Sequence, residues 1–280
     1  MVNYPSIVFS DVDGTLLNKE RRLSFLTTKT IHTIAQEYHT PFVMVTARMP
    51  KGVYHFYRQL NLNSPVICYN GALILKNYES SIFEKNDILY TTSIEYNEAL
   101  LIYNVANSLD LHFGIFNNNS WNVNKPDFWT SREENNTGTK ATINKNIDEY
   151  IDTLKLQNLP IHKIMVMGEK VALDKLIKET QNCNISSASF YRSKDTYLEI
   201  TPSKVNKAKA CNLVLSSLNL KAENSLAFGD NVNDVEMLLE MGSGFAMGNS
   251  PLNVKKVVGQ VAPSNVDDGV AFTIKKIFNV

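Results

Sequence analysis

Short fully apolar runs alternate with stretches of helical spacing, and the alternation occurs twice along the chain. Residues 7–10 form an apolar run that stops at Asp11, residues 27–38 are helix-like, and residues 41–45 and 66–69 are further apolar runs. Runs that are apolar at every position predict strands covered on both faces, hence a parallel sheet between helical layers. The same grammar returns near residue 195. Residues 198–201 read as a strand, Ala208, Cys211, Val214, Leu215 and Leu218 share one helical face, and residues 225–228 and 244–247 read as two more strands. Both halves are expected to build one sheet.

Between them the texture changes. Ala99, Ile102, Tyr103, Ala106 and Leu109 have helical spacing, and residues 112–116 and 121–123 flank the polar turn Asn117-Asn118-Asn119-Ser120 as a hairpin would. Residues 125–139 read as a loop, 163–167 as a strand, Val171, Leu173, Leu176 and Ile177 as a helix face, and 187–191 as a strand. The prediction is an α/β protein: a Rossmann-like, three-layer core with a parallel central sheet from residues 1–85 and 193–280, and an inserted α/β domain at 86–192.

Composition narrows the partners. Lys plus Arg equals Asp plus Glu at 28 each, so no net field draws the chain to nucleic acid or an anionic membrane. No stretch approaches the ~18 apolar residues of a membrane span, and the apolar run at residues 7–9 is too short for a signal sequence. Three cysteines, Cys68, Cys183 and Cys211, lack metal-ligand spacing, which points to reduced thiols and a cytoplasmic location. No P-loop or HExxH pattern is present, and Gly242-Ser243-Gly244-Phe245-Ala246-Met247-Gly248 misses the dinucleotide spacing by one residue.

The candidate chemistry lies at strand ends, where open parallel sheets place their ligand crevice. Asp11-Val12-Asp13-Gly14-Thr15 follows the first strand and offers two carboxylates, one to attack and one to move protons, with Gly14 permitting a sharp turn. Gly229-Asp230-Asn231-Val232-Asn233-Asp234 follows another strand; Asp230 and Asp234 are hard oxygen ligands of the kind Mg²⁺ takes, and Asn233 is an amide donor. Thr46 and the backbone before Arg48 could hold phosphate oxygens, and Lys207 or Lys204 stands before the 208–218 helix. Taken singly, each of these also has a plainer reading: a turn, a helix cap, or a solvated lysine.

Together and in this order they resemble the haloacid dehalogenase (HAD) superfamily, in particular its Cof-type branch with a large α/β cap. The carrying segments are Asp11 to Thr15, Thr46, Lys207 and Gly229 to Asp234, with the insert between the second and third. Tyr69-Asn70-Gly71-Ala72, Leu198-Glu199-Ile200-Thr201-Pro202 and Gly244-Phe245-Ala246-Met247-Gly248-Asn249-Ser250 extend the likeness. Three positions depart from the pattern: Ala47, Ala208 and Lys204 stand where the branch usually has Gly.

The resemblance implies a Mg²⁺-dependent phosphatase of small phosphorylated metabolites, sugar phosphates first. Asp11 is then the nucleophile that becomes an aspartyl phosphate, and Asp13 the acid and base. An acid must keep its proton near neutral pH, which requires burial or a neighbouring negative charge to lift a carboxyl from about 3.9. Thr46, Lys207 and Asn233 would grip the phosphate, and Arg48 and Asn70 the rest of the substrate. The metal would be held by Asp11, Asp13 through its main-chain carbonyl, and Asp230, with Asp234 direct or one step removed. At an effective dielectric of ~20, two like charges ~4 Å apart repel by about 4 kcal/mol, so such a cluster needs a cation. The insert would act as a lid; Trp121, Phe128 and Trp129 could stack on a ligand or pack within it. Two further functions remain open: a phosphomutase or phosphotransferase passing the aspartyl phosphate to a hydroxyl, and a non-catalytic phosphate-binding module. The expected partner is a small molecule, with the protein a monomer or small homo-oligomer.

Overall fold

A computed structural model describes residues 4–78, 80 and 82–280; the first three residues of the N-terminal stretch lie outside these. In chain order the first part contains β1 (Ile7–Asp11), α1 (Phe25–Glu37), β2 (Phe42–Val45), α2 (Tyr54–Gln59), β3 (Val66–Cys68), β4 (Leu73–Leu75) and β5 (Ile88–Thr91). Next come α3 (Tyr96–Ser108), β6 (His112–Asn117), β7 (Ser120–Val123), α4 (Phe128–Thr137), β8 (Thr142–Ile143), α5 (Ile147–Leu156), β9 (Lys163–Met167), α6 (Lys170–Gln181), β10 (Ala188–Lys194) and β11 (Tyr197–Pro202). The chain closes with α7 (Lys207–Ser217), β12 (Ser225–Gly229), α8 (Val235–Glu240), β13 (Ser243–Ala246), α9 (Leu252–Val258) and α10 (Gly269–Phe278).

The chain divides into two compact units, one of Met1–Arg48, Val53–Tyr90 and Asn206–Val280, the other of Met49–Gly52 and Thr91–Val205. The first is built on a seven-stranded sheet in the order β13-β12-β1-β2-β3-β4-β5. β13, β12, β1, β2 and β3 are parallel, and β4 turns back antiparallel on β3. Every residue of β1, β2, β3 and β12 is buried, as expected of strands covered on both faces. Ile7, Phe9, Val43, Val45 and Ala227 pack under Ala208, Cys211, Val214 and Leu215 of α7 and Met237 and Leu238 of α8. α1 and α10 pack on one another. From β1 the order runs outward through β2 on one side and β12 on the other, so the carboxyl end of β1 is where an α/β sheet opens a crevice.

The second unit holds a six-stranded sheet, β10-β11-β9-β6-β7-β8, antiparallel except for β7 with β8. One face buries Phe113, Ile115, Ile164, Val166, Leu198 and Ile200 against residues of α3, α5 and α6. Two expectations are corrected here. Residues 198–201, read from the sequence as part of the first sheet, lie in β11, which pairs antiparallel with both β9 and β10. A single apolar strand does not announce its neighbours, and two flanking strands within pairing reach decide the matter. Residues 125–139, read as a loop, contain α4. Its sequence has no apolar stripe; its ends define it, with the Asp127 side chain accepting from the Thr130 N–H and Gly138 closing the helix at φ 68°. The aromatic residues also separate: Trp121 is buried and stacked on Phe116 at 5.5 Å, Trp129 meets Tyr197 edge-on, and Phe128 is exposed.

Candidate active site

Asp11 ends β1, and Asp230 follows Gly229 at the end of the neighbouring parallel strand, so both leave the sheet at the same edge. One carboxylate oxygen from each of Asp11, Asp230 and Asp234 lies within 4.8 Å of the other two. Two glycines make this approach possible. A Cβ on Gly14, which sits at φ +83°, would come within 2.6 Å of Asp230 Oδ2, and one on Gly229 would collide with the Asp234 side chain. Thr15 Oγ1 donates to Asp230 Oδ1 at 3.1 Å and joins the two motifs directly. The sequence assigns Thr15 no separate role; its one signal is its place beside the turn glycine.

Asp234 shapes its own loop. Its Oδ2 accepts from the Asp230 and Asn231 N–H groups at 3.0 and 2.9 Å, and its Oδ1 accepts from Lys207 Nζ at 2.6 Å. Lys207, the first residue of α7, also donates to Asp11 Oδ1 at 2.6 Å. Asp11, Lys207 and Asp234 are all buried, so one ammonium is shared by two enclosed carboxylates with a third beside them. Lys204 is exposed on the loop after β11.

The electrostatics follow from that imbalance. Burial raises Asp11 to about 8, with Asp234 and Asp230 pushing the same way against the pull of Lys207. Burial, then the charge of Asp234, raises Asp230 to about 6. For Lys207 burial opposes the charge, but Asp11 and Asp234 outweigh it and hold the ammonium above its ordinary value. The cluster thus carries more negative charge than its lysine balances.

Asp13 faces elsewhere. Its side chain is 49% exposed, and Arg48 Nε and Nη2 reach its two oxygens at 2.6 and 2.5 Å. Its carboxylate is not part of the three-carboxylate cluster, and the burial expected around a proton donor is not found there. Thr46 is buried just past β2; its Oγ1 accepts from the Arg48 N–H at 3.1 Å, and its carbonyl accepts from the Asn70 N–H at 2.8 Å. Asn70 takes a left-handed conformation, φ 56°, in the turn after β3, and its Oδ1 accepts from Asn233 Nδ2 at 3.4 Å. Arg48, Thr46, Asn70 and Asn233 are therefore linked to one another, while Asp11, Asp230, Asp234 and Lys207 form the ionic cluster.

The acids gather at the open end of an α/β sheet, and comparison names the class and the family. The family model for haloacid dehalogenase-like hydrolases matches residues 8–274, and the chain belongs to that family. A putative phosphatase of Haemophilus influenzae is 30% identical over 278 residues, covering 97% of each chain. A 5-amino-6-(5-phospho-D-ribitylamino)uracil phosphatase of Bacillus subtilis is 24% identical over the full length of both. Among solved structures, a haloacid dehalogenase-like hydrolase from Bacteroides thetaiotaomicron superposes with a TM-score of 0.84 at 24% identity, over 98% of this chain and 100% of that one. The chain is thus an enzyme of the HAD hydrolases, and the relatives it matches are named phosphatases. Among its described residues no helix is long and apolar enough to cross a membrane.

Proposed function

We propose that this phosphatase is Mg²⁺-dependent, acts through an aspartyl phosphate on Asp11, and takes sugar phosphates or related phosphorylated metabolites. The observation that carries the reading is the cluster of Asp11, Asp230, Asp234 and Lys207, three carboxylates to one cation. Hard oxygen donors in net negative surplus fit Mg²⁺, and Asp11, Asp230 and the Asp13 main-chain carbonyl would hold it. Asp234 already spends both oxygens on Lys207 and two N–H groups, which favours it as the orienting partner of Lys207. Bound there, Mg²⁺ would keep Asp11 ionised and offset the charge of the phosphate.

In this reading substrate displaces Arg48 from Asp13, which takes up a proton from solvent; the Asp11 carboxylate then attacks phosphorus as the bond to the leaving oxygen breaks, and Asp13 passes its proton to that oxygen. Water then attacks the acyl phosphate, Asp13 takes its proton, and Asp11 is released. Lys207, Thr46 and Asn233 hold the transferring oxygens with donors in place beforehand. Arg48 keeps Asp13 oriented until substrate arrives and, with Asn70, receives the organic portion. The second unit serves as the lid that selects the leaving group. The three cysteines are free thiols, consistent with work in the cytoplasm.

The B. subtilis relative's name, with its phosphoribityl group, makes phosphorylated sugars and sugar alcohols the first class to test. Phosphate release is measured across sugar phosphates, nucleotides and cofactor phosphates, with EDTA as control. Mg²⁺-dependent release on a subset is expected. Release unaffected by EDTA removes the metal from the mechanism, and isomerised sugar phosphate without free phosphate makes the enzyme a mutase.

A further inference from the structure

The turn that carries Asp13 is held in place from outside the acidic motifs. Asn249 lies just beyond β13, at the same carboxyl edge of the sheet. Its Nδ2 donates to the Gly14 carbonyl at 2.8 Å, while its Oδ1 accepts from the Asn265 N–H at 3.1 Å and Ser264 Oγ at 3.4 Å. Asn265 Nδ2 in turn donates to the Leu17 carbonyl at 2.8 Å. Two asparagines thus pin the Gly14–Leu17 side of the loop at both ends. An exposed asparagine is ordinarily solvated, yet both ends of this amide are bonded to segments 235 and 16 positions away. The supporting loops meet at backbone contact, since a Cβ on Gly248 would come within 2.7 Å of Ser264 N and one on Gly269 would press on the Pro263 carbonyl.

Gly14 explains why such a brace is needed. Glycine reaches φ +83° without strain but leaves it as easily, so the residue that makes the turn possible does nothing to hold it. We propose that Asn249 is a positioning residue for phosphoryl transfer, supported by Asn265. It fixes the Gly14 peptide and thereby the placement of Asp13 on one side and of the Thr15–Asp230 contact on the other. The inference rests on the phosphatase reading above. Misplacement of a reacting group by ~1 Å can cost about 100-fold in rate.

The test compares Asn249→Ala and Asn249→Asp with the parent, using p-nitrophenyl phosphate at saturating Mg²⁺. Asn249→Asp keeps the shape and the oxygen facing Asn265, but puts an oxygen where the Gly14 carbonyl needs a donor. For both variants kcat is expected to fall roughly 10- to 100-fold, with KM within about threefold and the melting temperature little changed. Asn265→Ala is expected to lose roughly 3- to 10-fold in kcat by the same route. A kcat within about twofold of the parent in folded protein, or a loss confined to KM, overturns the proposal. Hydrogen exchange of residues 12–17 supplies a readout independent of turnover. Faster exchange there in Asn249→Asp, with the rest of the chain unchanged, is expected, and unchanged exchange overturns the brace. A parent without phosphatase turnover instead refutes the proposed function and leaves the brace to be judged by exchange.

Discussion

The buried carboxylates of the first unit and the buried histidines of the second are held in opposite ways. At the edge of the first sheet, Asp11, Lys207 and Asp234 are enclosed together and depend on one another's charge. In the second unit the buried histidines are kept neutral. Burial pushes His162 down to about 3, and its ring nitrogens meet Thr91 Oγ1 at 3.0 Å and the Asn118 N–H at 3.1 Å. Burial also lowers His112, against the pull of Asp127. Neutral partners satisfy the His162 ring at little cost, whereas three crowded carboxylates are expensive unless a charge-bearing ligand repays them. The difference marks the first unit as the place of chemistry and gives the second a scaffold's interior.

The strongest challenge to that contrast is removal of the attacking group. Asp11→Asn keeps shape and loses nucleophilicity, so turnover of p-nitrophenyl phosphate with Mg²⁺ is expected to drop by at least about 10³-fold in protein that still folds. Asp13→Asn should lose roughly 10²- to 10⁴-fold through the proton transfers. Equal rates for parent and both variants would remove chemistry from this edge.

Lys207→Met comes next, because it leaves the buried Asp11 and Asp234 without their shared cation. Breaking a buried pair in this way costs about 3–5 kcal/mol, read by denaturant unfolding of the metal-free protein. If the loss is under about 1 kcal/mol, the cluster does not rely on its lysine.

A pH series sharpens the contrast further. Asp11 and Asp230 are raised in the folded chain, to about 8 and about 6, from ordinary carboxyl values. Between the ordinary value and the raised one, the folded state holds more protons than the unfolded state, so stability falls as pH rises. Above about pH 7, where the lowered histidines are neutral in both states, the metal-free protein should therefore melt at a lower temperature as the pH rises to 8. Added Mg²⁺ should stabilise it more at pH 8, where the carboxylates are free to bind. A metal-free melting temperature that rises across this window contradicts the crowding of the acids.

The smallest effect is expected in the second unit. His162→Phe leaves Thr91 Oγ1 and the Asn118 N–H without their ring partner, at a cost of about 1–3 kcal/mol in stability. Turnover per folded molecule should stay within about twofold. A selective loss of kcat would move part of the chemistry into that sheet.

Much of the first unit was legible because its central strands are short, mostly apolar runs and its acids sit at or just past their carboxyl ends, a pattern that indicates both the fold and the edge. Residue type could not tell that Asp13 turns to Arg48 while Asp11 turns to Lys207, since both are carboxylates two residues apart. Thr15 and Asn249 escaped for a related reason: each acts through one hydrogen bond to a segment more than two hundred positions away. The second unit was less legible. α4 is defined by its caps, and the partners of β11 by strands that no local spacing reveals.

The central claim is that Asp11 carries the phosphoryl group. Rapid mixing of enzyme, Mg²⁺ and a turned-over phosphate ester, quenched in acid and reduced with borohydride, marks any acyl phosphate as homoserine for peptide mapping. The account predicts homoserine at position 11 alone. Turnover without any such mark, or a mark at Asp13 or elsewhere, contradicts it.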